Sequence, residues 1–388
     1  MVNTSTASVG EASDTNRMAW RGQAGHYEVW FLTVVHRATQ TGFWLRYTLE
    51  SPDPLHGGPY AELWFARCDG RDPGRTFGIH RRFPITELQA QHHPFALRIS
   101  DSELGPDRAS GRISSTGQAS SQAGGQSASP PVGHSVRWDL QWHPAPRSHT
   151  LLPSGLYGSW MSIAETLVLS PNHSIHVSGS IEVDGEVFDL QDAPAGQSHL
   201  WGRKHAYAWA WGRCNAFDLE SLPRSAGNPD ERIEHPLSRP SATVLEALTV
   251  RMRRGPVVLP LTLVSVYPDG LDGDEVAFKE FRDLPLTRAD FRTGSYSLTA
   301  RGLTTQIEAQ FSCSADDMLR TEYIDPDGAP AYNHFAGAAA CRLVLSRRIG
   351  PGAPWRVFKE LRTERGAQFE WAGRAGDSLV KKHHILVE

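Results

Sequence analysis

His134-Ser135-Val136-Arg137-Trp138-Asp139-Leu140-Gln141-Trp142-His143 decides the fold class. Val136, Trp138, Leu140 and Trp142 fall on one face at a period of two, and Arg137, Asp139 and Gln141 fall on the other. Side chains of an extended chain point alternately to opposite faces, so this stretch reads as a strand with one face buried. Runs rich in β-branched and aromatic residues recur on either side of it. Upstream they are Gly25 to Val35, Gly42 to Leu49, Tyr60 to Cys68 and Thr76 to Phe83; downstream, Ile163 to Leu169, Ser174 to Val183 and Glu186 to Leu190. Asp184-Gly185 has the chemistry of a hairpin turn. Beyond a polar stretch the series resumes at Ala242 to Arg253, Val257 to Tyr267, Asp274 to Lys279, Gly294 to Thr299, Thr304 to Ser314 and Met318 to Tyr323. It continues through Asn333 to Ser346, Trp355 to Glu360 and Gln368 to Ala372. Helical periodicity is scarce, with room for one short turn in Asp283 to Phe291. The expectation is an all-β protein.

At 388 residues the chain exceeds the size at which one core usually stops growing, so two domains are expected. Residues 1–17, rich in Ser, Thr and Ala, read as a disordered leader without the apolar core of a signal peptide. Residues 18–223 form the first domain and 224–388 the second, with the boundary in the polar stretch 223–240. Residues 114–131, mostly Ser, Gly and Gln, have no side chains with which to build a core and read as a flexible insertion. Consecutive antiparallel strands must hide their edges, and closure into barrels does so; two antiparallel β-barrels are therefore expected.

With 39 basic and 43 acidic residues the net charge is -4, and neither sign is concentrated as a nucleic-acid face requires, so no nucleic-acid partner is expected. The four cysteines form no close pair, which reads as buried free thiols in a cytoplasmic protein. No stretch has the apolar length of a bilayer span, although transient contact with a membrane surface stays open. Phosphate-loop, zinc-protease and nucleophile-elbow motifs are absent. The 17 histidines do not cluster at ligand spacing, so no metal and no cofactor are expected. Oligomeric state is not readable.

The densest chemistry lies in Gly196 to Phe217. If the chain is extended from His205, then His205, Tyr207, Trp209 and Trp211 share one face, and Ala206, Ala208 and Ala210 the other. Four bulky groups on one face line either a packed interior or a ligand space, and aromatic walls suit apolar ligands and developing cations. Near the start, His26, Glu28 and Trp30 share a face. A buried Glu28 would have its pKa raised and become a candidate acid or base.

Gly25-His26-Tyr27-Glu28-Val29-Trp30-Phe31 resembles the opening motif of a lipocalin-like superfamily. Trp201-Gly202, His205, Trp209, Trp211, Asn215 and Phe217 resemble its second motif. The superfamily holds the carotenoid 1,2-hydratases (hydroxyneurosporene synthases) and AttH-like proteins, with tocopherol cyclases and fungal decalin-forming Diels–Alderases as more distant relatives. The resemblance implies two lipocalin-like barrels and an apolar substrate held between aromatic walls without cofactor or metal. The resulting expectation is a hydratase, cyclase or isomerase acting on a hydrophobic isoprenoid or polyketide-like molecule. Glu28, His199 and His205 are its candidate catalytic residues; His26, Trp30, Trp201, Tyr207, Trp209, Trp211 and Asn215 are its candidate substrate-binding residues. The rival reading is a non-catalytic carrier of a small apolar ligand.

Overall fold

A computed structural model describes residues 13–115, 133–153, 165–218 and 241–387. Its first sheet begins with the antiparallel strands β1 (His26–His36), β2 (Thr41–Ser51), β3 (Tyr60–Asp69) and β4 (Phe77–Pro84). Shorter strands follow: β5 (Leu88–Gln91), β6 (Ala96–Ile99), β7 (Ser102–Leu104) and β8 (Arg108–Ser114). Then come β9 (Ser135–Trp142) and the long pair β10 (Thr166–Val183) and β11 (Glu186–Gly202). The second sheet holds β12 (Ala208–Cys214), β13 (Val244–Arg254), β14 (Val257–Tyr267), β15 (Val276–Phe278), β16 (Thr287–Arg292) and β17 (Ser295–Arg301). It also holds β18 (Thr305–Ser312), β19 (Leu319–Ile324), β20 (Pro330–Arg347) and β21 (Arg356–Gly373). The last strand, β22 (His384–Val387), returns to the first sheet.

The all-β expectation holds, but the closed barrels do not form. The first sheet runs β22-β4-β3-β2-β1-β11-β10-β9-β8-β7-β6-β5, and its two end strands do not pair. It curls far enough for Phe65 on β3 to stack on Trp138 of β9 at 6.5 Å, which makes a half-barrel around one core. The second sheet runs β15-β14-β13-β12-β21-β20-β18-β17-β16, with β19 on β20, and it too stays open. The edge problem that suggested closure is met differently. Edge strands β5 and β15 are only four and three residues long, and β22 caps β4 in parallel.

The sheets pack against each other, which gives the central strands two buried faces. β9 keeps a strict alternation of exposed and buried residues, whereas every residue of β2 is buried. One face of β2 joins the first core through Phe43, Leu45 and Tyr47, and Trp44 on the other meets Phe335 of β20 at 5.0 Å. Contact is closest where Gly42 crosses Gly337: a Cβ on Gly42 would lie 2.0 Å from the Gly337 carbonyl oxygen. At the Asp184-Gly185 hairpin both residues have positive φ, at 53° and 82°, as a two-residue turn of the favoured hand requires.

The chain changes sheets between Gly202 and Ala208. The polar stretch 223–240, in which a boundary was expected, lies outside the described residues, as do 116–131 of the expected flexible insertion and 1–12 of the expected leader. Residues 13–16 form a helical turn whose Asn16 is fully buried. Among the described residues no helix is long and apolar enough to cross a membrane.

Candidate functional site

Between the sheets lies a cavity of ≈ 890 Å3 with a mainly apolar wall. The first sheet contributes Tyr27, Val29 and Phe31 from β1, Trp44 and Arg46 from β2, and Ser198 and Leu200 from β11. The second contributes Trp209 and Trp211 from β12, Leu248 and Val250 from β13, and Phe335 and Glu370 from β20 and β21. His205 and Tyr207, in the crossover that precedes β12, line it as well. All four aromatics singled out on one face in the sequence therefore border one space, although the regular strand starts only at Ala208.

Two polar groups in this wall have chemistry. His205 stacks between Tyr27 at 4.4 Å, Trp209 at 5.3 Å and Tyr323 at 5.2 Å. Its Nδ1 lies 2.6 Å from Asp325 Oδ1, and Arg374 Nη1 donates to Asp325 Oδ2 at 2.6 Å. Burial lowers the His205 pKa, against the pull of Asp325. The neutral ring, donating Nδ1–H to Asp325, keeps a lone pair on Nε2. Glu370 is half-buried beside Trp209, whose Nε1 donates to Oε1 at 2.9 Å; Asn333 Nδ2 donates to Oε2 at 3.0 Å. Burial raises the Glu370 pKa, and those hydrogen bonds together with Arg46 only partly offset it. Trp209 touches both groups.

Of the other sequence candidates, all but Asn215 occupy the opposite face of β1 and β11. Glu28 is fully buried and accepts from Ala19 N at 2.7 Å, Trp20 N at 2.9 Å and His199 Nε2 at 2.9 Å, with His26 Nε2 at 3.2 Å. Burial pushes this carboxyl up, but the hydrogen bonds from His199, His26 and the Ala19 amide outweigh it and lower the pKa to about 2. The rise expected from burial alone is thus reversed. Trp30 stacks on His199 at 4.7 Å and donates Nε1–H to the Asn16 carbonyl at 2.9 Å; Trp201 packs on His199 at 4.6 Å. Asn215 Nδ2 donates to Ser174 Oγ and the Ala195 carbonyl, at 3.0 and 2.8 Å, tying β12 back to the first sheet. So the structure gathers His26, Glu28, Trp30, His199 and Trp201 in one cluster and His205, Tyr207, Trp209 and Trp211 around the cavity, with β1 and β11 between the two groups.

Residues 24–226, just over half of the chain, match the tocopherol cyclase-like family. The chain belongs to that family. An uncharacterized protein found in two strains of Mycobacterium tuberculosis is 26% identical over 193 residues. That match takes in 50% of each chain, so this tocopherol cyclase-like protein spans about half the length of the curated relatives it matches. Among solved structures, an AttH candidate from Nitrosomonas europaea shares the fold at a TM-score of 0.51 and 14% identity, over 90% of this chain and 93% of the other. Kievitone hydratase from Nectria haematococca is a weaker likeness, with a TM-score of 0.44, 11% identity and coverages of 93% and 91%.

Glu370 and Asp325 escaped sequence reading in this tocopherol cyclase-like chain. Glu370 reaches the cavity, and Asp325 the His205 ring that lines it, from a strand and a turn far along the chain from β12. Glu370 did carry a signal, a carboxylate between Phe369 and Trp371 inside a strand. Asp325 carried none, since Asp-Pro-Asp-Gly is ordinary turn sequence.

Proposed function

We propose that this protein is a proton-transfer enzyme that hydrates, cyclises or isomerises a hydrophobic isoprenoid or polyketide-like substrate in the cavity between its sheets. The observation that carries the reading is the pairing of Glu370, with its raised pKa, and His205, with its lowered one, on either side of Trp209 in an apolar chamber. In water a carboxyl loses its proton before an imidazole does. Here the two shifts run toward each other, which favours coexistence of a protonated acid and a neutral base.

Glu370 protonates an alkene carbon or hydrogen-bonds a carbonyl. Trp209, Trp211 and Tyr323 stabilise the developing positive charge through their ring faces. His205, held in one tautomer by Asp325, removes a proton from water in hydration, or from the substrate in cyclisation and isomerisation. The apolar wall limits the water that would quench the cation early. A volume of ≈ 890 Å3 suits a molecule of drug size or slightly larger. The known chemistry of the family name is a cyclisation, which agrees with this scheme.

The test joins binding to turnover. Tryptophan fluorescence is titrated with isoprenoids, carotenoid precursors, fatty acids and polyene ketones, and bound candidates are incubated and analysed by mass spectrometry. Hydration adds the mass of one water, whereas cyclisation and isomerisation leave the mass unchanged. Glu370→Gln and His205→Asn should keep saturable quenching and lose turnover, and Trp209→Ala should weaken binding. Turnover that survives both polar substitutions would reject the assignment. Tight binding without turnover in the wild type would make the protein a carrier.

A further inference from the structure

Beside the same cavity, which Glu246 lines, three side chains converge with atoms that lack the partner their chemistry demands. His149 lies in a segment bridged to β10, its N–H and C=O both bonded to Ser170, at 2.9 and 2.7 Å. His173 lies where β10 shifts register between Asn172 and Ile175, an irregularity of the kind that re-aims a side chain. Glu246 comes from β13 of the other sheet and borders the cavity beside Trp211. The three are 5%, 0% and 2% exposed.

Their free atoms face one another. Glu246 Oε1 accepts from Trp211 Nε1 at 2.9 Å, but Oε2 has no hydrogen bond. It sits 3.5 Å from His173 Nδ1 and 3.8 Å from His149 Nε2, and both of those nitrogens are also unbonded. His149 Nδ1 is 3.2 Å from the Tyr267 hydroxyl. If Nδ1–H donates there, Nε2 carries only a lone pair, directed into the cluster. Several unsatisfied buried acceptors in one place would be costly unless something fills the centre.

We propose that His149, His173 and Glu246 bind a divalent transition metal, zinc in the first instance, between the two sheets. One donor atom from each lies within 4.8 Å of the others. Tetrahedral zinc at its usual bond lengths holds its ligands roughly 3.3 Å apart, so the donor separations need contract by between a fraction of an ångström and about 1.5 Å. Two histidines and a glutamate are a donor set that zinc accepts while keeping a coordination position open. Tyr267, with Glu275 3.9 Å from His149 Nδ1, supplies the outer contact that orients a metal-binding imidazole. Arg213 opposes a cation at this point, and Glu246 with Glu275 offsets it; Lys279 is already paired with Glu275 at 2.6 Å. Because the donors lie at 149, 173 and 246, no local spacing announces the site in the sequence. The site is independent of Glu370 and His205 and goes beyond the proton-transfer reading.

The 388-residue chain, stripped with a chelator, is titrated with Co2+ and then with Zn2+. One equivalent of cobalt should give the intense visible bands of four- or five-coordinate Co2+, and one equivalent of zinc should abolish them. His149→Ala and His173→Ala should each weaken uptake on the order of 100-fold, while His176→Ala, exposed on the same strand, should leave it unchanged. Glu246→Asp serves as a milder variant if the alanine proteins do not fold. No stoichiometric uptake by the wild type, weak six-coordinate bands, or uptake that persists in the His149 and His173 variants would overturn the site, leaving a buried water as the occupant. Metal uptake is read without substrate, so its failure leaves the acid–base assignment standing, and loss of turnover in Glu370→Gln says nothing against the metal.

Discussion

Replacing Glu28 by Gln removes the one carboxylate that holds the start of the described chain onto β1. Its oxygens accept from two backbone amides, of Ala19 and Trp20, and from His199, with His26 alongside. A glutamine keeps one acceptor oxygen and turns an NH2 toward the remaining donors. The size of the loss follows from linkage. A pKa lowered from 4.5 to about 2 corresponds to about 3 kcal/mol of stability at neutral pH. Loss of two charge-assisted hydrogen bonds gives the same order. The folded pKa lies below the unfolded one, so this contribution is complete well above pH 4.5 and fades as the pH falls toward 2. Urea denaturation followed by tryptophan fluorescence, at pH 7 and pH 3, measures it. Glu28→Gln should be about 3 kcal/mol less stable at pH 7, with a melting temperature lower by on the order of 5–10 °C. At pH 3 the gap should shrink to roughly half. A loss under about 1 kcal/mol at pH 7, or a gap that does not narrow with acid, refutes the account of how this carboxylate is held.

Other outcomes follow from the cavity and the sheet contact. The pH profile of kcat/KM should fall on the acid side as His205 gains its proton and on the alkaline side as Glu370 loses its own; a flat profile across both limbs would contradict the roles given them. Asp325→Asn should lower kcat by roughly 100-fold with substrate binding kept, because the imidazole loses its fixed tautomer, and an unchanged kcat would show that the pair is only structural. Gly42→Ala should cost about 3 kcal/mol or more in urea, since its methyl meets the Gly337 carbonyl at 2.0 Å; a near-neutral effect would mean that the sheets separate easily. Trp138→Ala, in the core of the half-barrel, should cost about 3–5 kcal/mol on the same assay.

Strands with one wet face were plain in the sequence, because water on one side and core on the other force alternation, as at Val136 to Trp142. Legibility fell where both faces are dry. β2 alternates poorly because it is buried throughout. β10 read as two strands with a gap because its register shifts interrupt the period, yet it runs unbroken from Thr166 to Val183. The short strands β5 to β8 are polar and poor in β-branched residues, and β22 hides behind Lys381-Lys382-His383-His384. Barrel closure was inferred from the need to protect edges, but which strands end a sheet is settled by distant pairings that no local pattern reports. At the site, bulk and period two marked His205, Tyr207, Trp209 and Trp211. The sequence could not show that hydrogen bonds from His199 and His26, with the Ala19 amide, would reverse the expected shift of Glu28, or that Glu370 and Asp325 would arrive beside Trp209 and His205.

The cap on β4 has a consequence for how the molecule is made. His384 to Val387 pair with Gly78 to Arg81, roughly 300 residues earlier in the chain. On the ribosome, the edge of β4 waits unpaired through the synthesis of the entire second sheet. During that interval β4 presents a bare row of amides and carbonyls to any other extended segment. The late synthesis of this four-residue strand therefore sets how long the β4 edge stays open to mispairing with neighbouring chains.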